Sequence, residues 1–189
     1  MTFTEQYKQN LFEALNKIDL AKVEQAIAWL KEARAAGRTI FTCGNGGSAS
    51  TASHFATDMV KGASYGRDAR FRIMALTDSL PTISAYANDV SFDAVFVEQL
   101  KNFAQPGDVL LGISGSGNSP NVLRAMEYAN SIGCKTIGLT GRDGGKLAPM
   151  VGLNIQVPVP HMGRIEDGHM IVTHMIGYYF MEEKEESAQ

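Results

Sequence analysis

A glycine-rich turn between a strand and a helix constrains this chain more than any other stretch. Residues 39–43, Thr-Ile-Phe-Thr-Cys, form an apolar run that predicts a buried strand, and Gly-Asn-Gly-Gly-Ser follows at 44–48. A helical pattern begins at once and carries His54 and Asp58 one turn apart. Free backbone N–H groups and a helix N-terminus meet at such a turn, which suits an anion such as phosphate.

The length and composition favour a soluble globular protein with one domain over residues 1–189. A net charge of −3 gives no reason to expect nucleic-acid or membrane partners. No apolar run is long enough to span a membrane, and the polar N-terminus lacks the apolar segment of a signal peptide. Cys43 and Cys134 lie in apolar, strand-like runs, so we interpret them as core residues of a cytoplasmic protein.

Hydrophobic patterns along the chain predict strands that alternate with helices. Beyond the first strand, strands are predicted at 71–76, 109–113, 135–140 and 153–157. Helices are predicted at 4–18, 20–36, 79–87, 90–103, 121–132, near Leu147 and at 163–182, with turns between them that include Asn88-Asp89. This alternation is typical of βαβ units, and it predicts a three-layer α/β fold with a five-stranded parallel sheet.

Both ends of the chain carry features outside this pattern. The two leading helices, within residues 1–37, offer apolar faces beyond what one sheet needs, so we expect them to contact another subunit. The alternative is that they cover the sheet of the same chain. At the other end, residues 182–186 are acidic and are interpreted as a solvated, frayed helix end.

A second polar loop, Ser-Gly-Ser-Gly-Asn-Ser at 114–119, follows the third predicted strand. It and the glycine turns at 44–48 and 141–145 lie at the carboxyl edge of the sheet, where such folds bind ligands. Its hydroxyls and glycines favour a phosphate monoester, although an ordinary helix cap is the alternative. No Gly-Lys-Ser/Thr follows, and the first turn is not GxGxxG, so a nucleotide P-loop and a dinucleotide site are disfavoured.

The order and spacing of these motifs resemble the sugar isomerase (SIS) domain family, over nearly the whole chain. Within that family the chain is most similar to the phosphoheptose isomerases, which convert sedoheptulose 7-phosphate to glycero-manno-heptose 7-phosphate. The resemblance implies a flavodoxin-like sheet, a homotetramer and a phosphosugar ligand. The motifs are CGNGGS at 43–48, HFA at 54–56, Asn88-Asp89, PGDVLLGIS at 106–114, SGNS at 116–119, LTG at 139–141 and DGG at 143–145.

The resemblance also implies roles for individual residues. Asp58 and His174 are the expected acid–base pair, because an aldose–ketose isomerase must move a proton between neighbouring carbons. His54, Asp58, Glu166 and His174 are the expected ligands of a divalent metal, with zinc the expected ion. The expected substrate-binding residues are Asn45, Gly46, Gly47, Ser48, Asn88, Asp89, Ser114, Gly115, Ser116, Ser119 and Glu166.

Three positions depart from the pattern of the phosphoheptose isomerases. Asp58 stands where that group has Glu, Glu166 where it has Gln, and Gly163 where it has Asp. The departures cluster at the expected reactive centre and spare the phosphate loops. Asp reaches about an ångström less far than Glu, which can matter in catalysis. An isomerase or binding protein for another sugar phosphate is therefore one alternative.

A second alternative is a non-catalytic SIS-domain adaptor that binds the replication initiator. Such proteins share the fold and lack the acid–base pair, so His54, the carboxylate at 58 and His174 favour the enzyme. The resemblance leaves three minor candidates without an assigned part. His161 for substrate contact, and Arg164 and Lys61 for phosphate, are each also explained as ordinary surface residues.

Overall fold

The computed structural model describes residues 1–183, which form a parallel sheet between two layers of helices. The strands are β1 (Thr39–Gly44), β2 (Arg72–Ala75), β3 (Val109–Ser114), β4 (Lys135–Gly141) and β5 (Leu153–Val157). The helices are α1 (Phe3–Leu15), α2 (Leu20–Ala35), α3 (Gly47–Thr57), α4 (Leu80–Asp89), α5 (Val97–Phe103), α6 (Pro120–Ser131) and α7 (Met162–Glu182).

The strand order is β2-β1-β3-β4-β5, and every neighbouring pair is parallel. This is the flavodoxin-like order, and it confirms the predicted five-stranded sheet and fold class. The direction of winding changes between β1 and β3, so a crevice opens beyond the carboxyl ends of these two strands. Gly44 pairs with Ile113, which brings the loops after β1 and β3 to the same level.

Alternate residues of the central strands face opposite layers, as the two-residue period of a strand requires. Leu111 of β3 faces the core formed with α2, α3 and α7, whereas its neighbour Leu110 faces the core formed with α5 and α6. Cys43 is fully buried in the second core, in agreement with its interpretation as a core residue. Cys134 is partly buried against that core, and both thiols are free.

The two leading helices differ in what they cover. The buried face of α2, which includes Ile27 and Leu30, belongs to the core of this chain and packs beside β1, β5 and α7. The apolar stripe of α2 thus covers the sheet of its own chain, as the alternative expected, while the expected contact with another subunit stays a prediction. Helix α1 packs on α7 and leaves Phe3 and Phe12 exposed.

Three predicted local structures are wrong. Asn88 and Asp89 end α4 and do not form a separate turn, because no glycine or proline stops the helix before them. The helix predicted at 90–103 is a short 3₁₀ turn followed by α5, since Ser91 is extended. Turns replace the helix predicted near Leu147, because Gly144 and Gly145 both have positive φ values, 87° and 55°.

The end of α7 is held by charged side chains. Glu183 pairs with Lys31 at 2.7 Å and with Arg34 at 2.8 Å, so the first part of the acidic tail is anchored and not frayed. The rest of that tail, from residue 184 onward, lies outside the described residues. Within residues 1–183, no helix combines the length and apolar character needed to cross a bilayer.

Candidate active site

The turn after β1 forms one wall of the crevice. A Cβ atom on Gly44 would lie 2.8 Å from Ser48, so only glycine lets α3 begin this close to the strand. Gly46 has a φ of 53°, which glycine adopts without strain, and Gly47 starts the helix. The Ser48 N–H donates to the Asn45 carbonyl at 3.0 Å. The expected turn residues 45–48 thus lie together at the N-terminus of α3.

The side chain of Asn45 reaches across the crevice to Asn121, in the first turn of α6. Each amide donates to the other, at 2.8 and 2.9 Å, and Asn121 is only 1% exposed. This pair fixes the β1 and β3 loops relative to each other. Asn121 was not predicted from the sequence. Its position four residues before Ala125 puts a polar side chain on the buried face of α6, and that was the signal that could have found it.

The loop after β3 forms the opposite wall. The Ser114 hydroxyl oxygen lies 3.0 Å from that of Ser119 and 3.5 Å from that of Ser116. The three hydroxyls meet where α6 begins, so rotating donors and the positive end of a helix dipole face the same space. Gly115 leaves room for Met162 of α7, whose sulfur would lie 2.6 Å from an added Cβ. This arrangement can bind a phosphate or another oxyanion.

Three of the predicted reactive residues converge between α3 and α7. The Nε2 atoms of His54 and His174 lie 3.0 Å apart. The Oδ2 atom of Asp58 lies 3.3 Å from Nε2 of His54 and 3.9 Å from Nε2 of His174. Helix α3 changes to a π-helical turn at Asp58, a feature that is frequent at functional sites. Gly177 faces Asp58 and lets the two helices approach.

The donor atoms of this cluster fit a divalent ion. Asp58 Oδ2 is buried and has no hydrogen-bond partner among residues 1–183, since its contact with His54 meets the distance for an ion pair but not the geometry of a hydrogen bond. A buried, unsatisfied carboxylate oxygen is costly unless another group compensates for it. One carboxylate oxygen and two imidazole nitrogens, all within 4.8 Å of one another, form a donor set that zinc accepts.

Glu166 is placed apart from this cluster, near the start of α7. Its Oε1 atom would lie 3.1 Å from a Cβ on Gly47, so the carboxylate lies against the N-terminus of α3. That end of a helix carries partial positive charge, which favours a carboxylate there. Eight residues, about 12 Å of helix, separate Glu166 from His174. Three of the four expected metal ligands are therefore brought together, and Glu166 is not among them.

Asn88 and Asp89 are exposed at the end of α4, where the Asn88 amide donates to the Asp89 carboxylate at 2.7 Å. Their recorded hydrogen bonds within residues 1–183 reach none of the other expected substrate residues. The fold thus brings together the residues of the β1 and β3 loops, and it leaves this pair at the surface.

The remaining histidines are structural. His169 is 1% exposed, and its Nε2 lies 2.9 Å from the Thr140 carbonyl, to which it donates. Burial lowers the pKa of His169 to about 4, so the ring is neutral near pH 7. His161 caps α7, where its Nδ1 accepts from the Arg164 N–H at 3.4 Å. Arg164 stacks over the ring of Tyr7.

Comparisons with known proteins agree with this architecture. The phosphoheptose isomerase of Geobacter sulfurreducens is 39% identical over 175 residues, which cover 89% of this chain and 88% of that protein. The phosphoheptose isomerase of Aliarcobacter butzleri is 44% identical over 141 residues, 74% of each chain. The structure of phosphoheptose isomerase from Neisseria gonorrhoeae, at 34% identity, superposes with a TM-score of 0.85 and covers 96% of this chain and 100% of its own.

The family pattern described as the SIS domain matches residues 3–141, from α1 to the end of β4. This range includes both loops that form the crevice. Together with the strand order and the relatives that match most of the chain, this match establishes that the chain belongs to the SIS domain family.

Proposed function

We propose that this protein is an aldose–ketose isomerase that interconverts sedoheptulose 7-phosphate and D-glycero-D-manno-heptose 7-phosphate. The observation that carries the proposal is the convergence of His54, Asp58 and His174 between α3 and α7. The N-terminus of α3 forms one wall of the crevice, and the β3 loop with its three hydroxyls forms the other. Relatives that align with most of this chain are phosphoheptose isomerases, which supports the same reaction.

In this proposal the substrate phosphate lies at the start of α6. The hydroxyls of Ser114, Ser116 and Ser119 donate to its oxygens, and Ser48 with the backbone of 44–48 completes the site from the β1 side. Gly115 allows the backbone to approach closely. Asn45, Asn88 and Asp89 contact sugar hydroxyls, with Asn45 exchanging its bond to Asn121 for a bond to substrate.

The reacting carbons lie beside the histidine–aspartate cluster. His54 and Gly47 are seven residues apart on α3, about 10 Å along the helix, which suits a substrate with its phosphate far from its carbonyl. Asp58 and His174 exchange protons with the two neighbouring carbons. A proton leaves C1 and one is delivered to C2, while the hydroxyl proton on O1 is transferred to O2, so that the carbonyl moves from C2 to C1. The short Asp58 stem is already in contact distance of both imidazoles.

His54, Asp58 and His174 would hold a divalent ion, with zinc the ion that their donors suit best and Glu166 a further ligand if its side chain rotates toward them. When bound by these residues, such an ion would supply Lewis-acid polarisation of the substrate carbonyl. Glu166 in its present rotamer lies close enough to the β1 turn to contact the sugar.

The same proposal includes a homotetramer in the cytoplasm. Helix α4 buries none of its residues, and Leu80, Val90 and Phe92 around it are more than half exposed. Phe3 and Phe12 of α1 are also exposed, so α1 remains the candidate for the interface expected of residues 1–37. Light scattering of the purified protein tests this assembly. A monomer at micromolar concentration would contradict it.

The activity is tested with purified protein, sedoheptulose 7-phosphate and added zinc. Wild type is expected to form the aldose, and Asp58→Asn to lose about 10²–10⁴-fold in kcat because acid–base catalysis is worth that much. Asp68→Asn is the matched control, since Asp68 is exposed and lies outside the cluster. Dialysis against a chelator is expected to remove activity, and zinc to restore it.

Two outcomes would reject the proposal. The first is no turnover by wild type, with or without zinc, at enzyme concentrations near that of substrate. The second is equal kcat for Asp58→Asn and Asp68→Asn. Hexose and pentose phosphates are run in parallel, and a faster reaction with one of them would assign the same chemistry to a different sugar phosphate.

A further inference from the structure

A third glycine-rich turn, residues 141–145 at the end of β4, has no part in the function described above. It carries Arg142, whose φ of 52° is the one positive value of a non-glycine residue within residues 1–183. A left-handed conformation is unfavourable for a residue that carries a side chain. Such strain persists where the surroundings hold it, and it concentrates at functional sites.

Arg142 lines a cleft of about 570 Å³ together with Ser116 and Asn118 of the β3 loop. The remaining walls come from Asp143 and from the segment that joins β5 to α7. Arg142 is exposed, and among the described residues it is the one basic residue that lines this cleft. The Asp143 carboxylate accepts from the Gly145 N–H at 3.1 Å, so it is engaged within its own turn.

The two loops are fastened to each other, which holds Arg142 in register with the serines. The Leu147 N–H donates to the Gly117 carbonyl at 2.9 Å, and the Lys146 N–H donates to the Asn118 side chain at 3.2 Å. A Cβ on Gly117 would lie 2.1 Å from the Gly144 carbonyl, so the backbones are in direct contact. The Arg142 carbonyl accepts from Gln156 at 2.6 Å.

The β4 turn can supply a positive charge that the β3 loop lacks. The β3 loop, residues 114–119, contains no charged side chain, whereas a phosphate monoester carries a charge of about −1.5 to −2 near neutral pH. Neutral hydroxyls and a helix dipole leave most of that charge without a counterion. Arginine is suited to the task because its guanidinium group donates two parallel hydrogen bonds to phosphate oxygens.

We propose that Arg142 is the counterion of the substrate phosphate, contributed to the site by the β4 turn from the cleft it shares with Ser116. The proposal rests on the function proposed above, in which the β3 loop binds the phosphate. Arg142 lines the cleft that Ser116 also lines, and the hydrogen bonds between the two loops hold these residues in register, so phosphate would meet a charge that is already positioned.

The test separates loss of charge from loss of backbone conformation. Arg142→Asn removes the charge, and asparagine tolerates the left-handed conformation. We expect it to raise both the KM for sedoheptulose 7-phosphate and the inhibition constant for inorganic phosphate by about tenfold or more, with a smaller change in kcat. Arg142→Lys keeps the charge and is expected to recover most of the affinity. Lys146→Gln is the matched control, since Lys146 directly follows the same turn, is exposed and is not among the residues that line the cleft.

Phosphate binding measured by calorimetry makes the outcome independent of turnover. If wild type binds phosphate and Arg142→Asn binds it at least tenfold more weakly, the inference holds, even if sedoheptulose 7-phosphate is not isomerised and the proposed function fails. If Arg142→Asn binds phosphate and substrate as wild type does, the inference is wrong while the isomerase proposal stands. An equal loss in Lys146→Gln would also overturn it, because general surface charge would then explain the effect.

Discussion

Acidification should destabilise this protein through His169, which the fold keeps neutral. The side chain is almost fully buried and donates to the Thr140 carbonyl, and its Nδ1 atom has no hydrogen-bond partner in the described part of the chain. Burial lowers its pKa from 6.5 to about 4. The unfolded chain binds a proton at this histidine below about pH 6.5, whereas the folded chain does so only below about pH 4.

The sign and the size follow from that difference. Because the unfolded state binds more protons between these two pKa values, the free energy of unfolding falls as the pH falls through this window. The full shift corresponds to about 3 kcal/mol below pH 4, at 1.36 kcal/mol per pKa unit. Between pH 7.5 and pH 5.0 the loss is about 2 kcal/mol, and above pH 7 His169 contributes no pH dependence.

His169→Gln removes the titration and keeps a side-chain N–H that can reach the Thr140 carbonyl. Urea unfolding at pH 7.5 and pH 5.0, at one protein concentration, measures the loss for each variant. Between the two pH values we expect the free energy of unfolding of wild type to fall by about 2 kcal/mol more than that of His169→Gln. In a thermal unfolding experiment the same difference corresponds to roughly 4–8 °C in melting temperature. His161→Gln is the control, since that ring is exposed at the start of α7. Equal losses in wild type and His169→Gln would refute the reasoning.

Three further results are expected. Gly117→Ala should destabilise the fold by well over the roughly 1–2 kcal/mol that left-handed strain costs, because the added Cβ would collide with the Gly144 carbonyl. Gly66→Ala should cost only that strain, because Gly66 also has a positive φ but has open space around it. The urea unfolding midpoints of the two variants measure the difference. Phe180→Ala should cost about 3–5 kcal/mol in the same assay, since the ring is fully buried, and a loss below 1 kcal/mol would contradict its place in the core. Cys43 and Cys134 should resist Ellman's reagent at pH 8 until the chain unfolds, because burial raises their pKa values to about 12 and about 11; rapid labelling of the native protein would count against this.

The alternation of strands and helices was readable from residues alone. Apolar runs such as those of β1 and β3 have the length and composition of buried parallel strands, and glycine turns follow them at the carboxyl edge. The errors were local. Two left-handed glycines prevent a helix near Leu147, and an extended Ser91 divides the helix predicted at 90–103. Hydrophobic periodicity does not report these backbone conformations.

Only part of the candidate site could be predicted from the sequence. His54 and Asp58 share a helix, so their proximity follows from the helical repeat, whereas His174 joins them across a contact that small residues such as Gly177 permit. Glu166 could not be separated from this cluster by sequence, since its position depends on how α7 lies over the β1 turn. The role of Asn121 could not be predicted either, because its hydrogen-bond partner Asn45 is 76 residues away in the sequence.

The sequence by itself determined the layers of this protein, because burial and period are properties of short segments and survive without knowledge of the rest of the chain. It also determined the polar loops at the sheet edge, since glycine and serine at a strand exit have a local physical meaning. Only the tertiary structure decided which side chains meet: the cluster between α3 and α7, the separation of Glu166 from it, and the loop contacts that hold Arg142 beside Ser116. Those contacts depend on helix packing and strand order, which no single segment encodes.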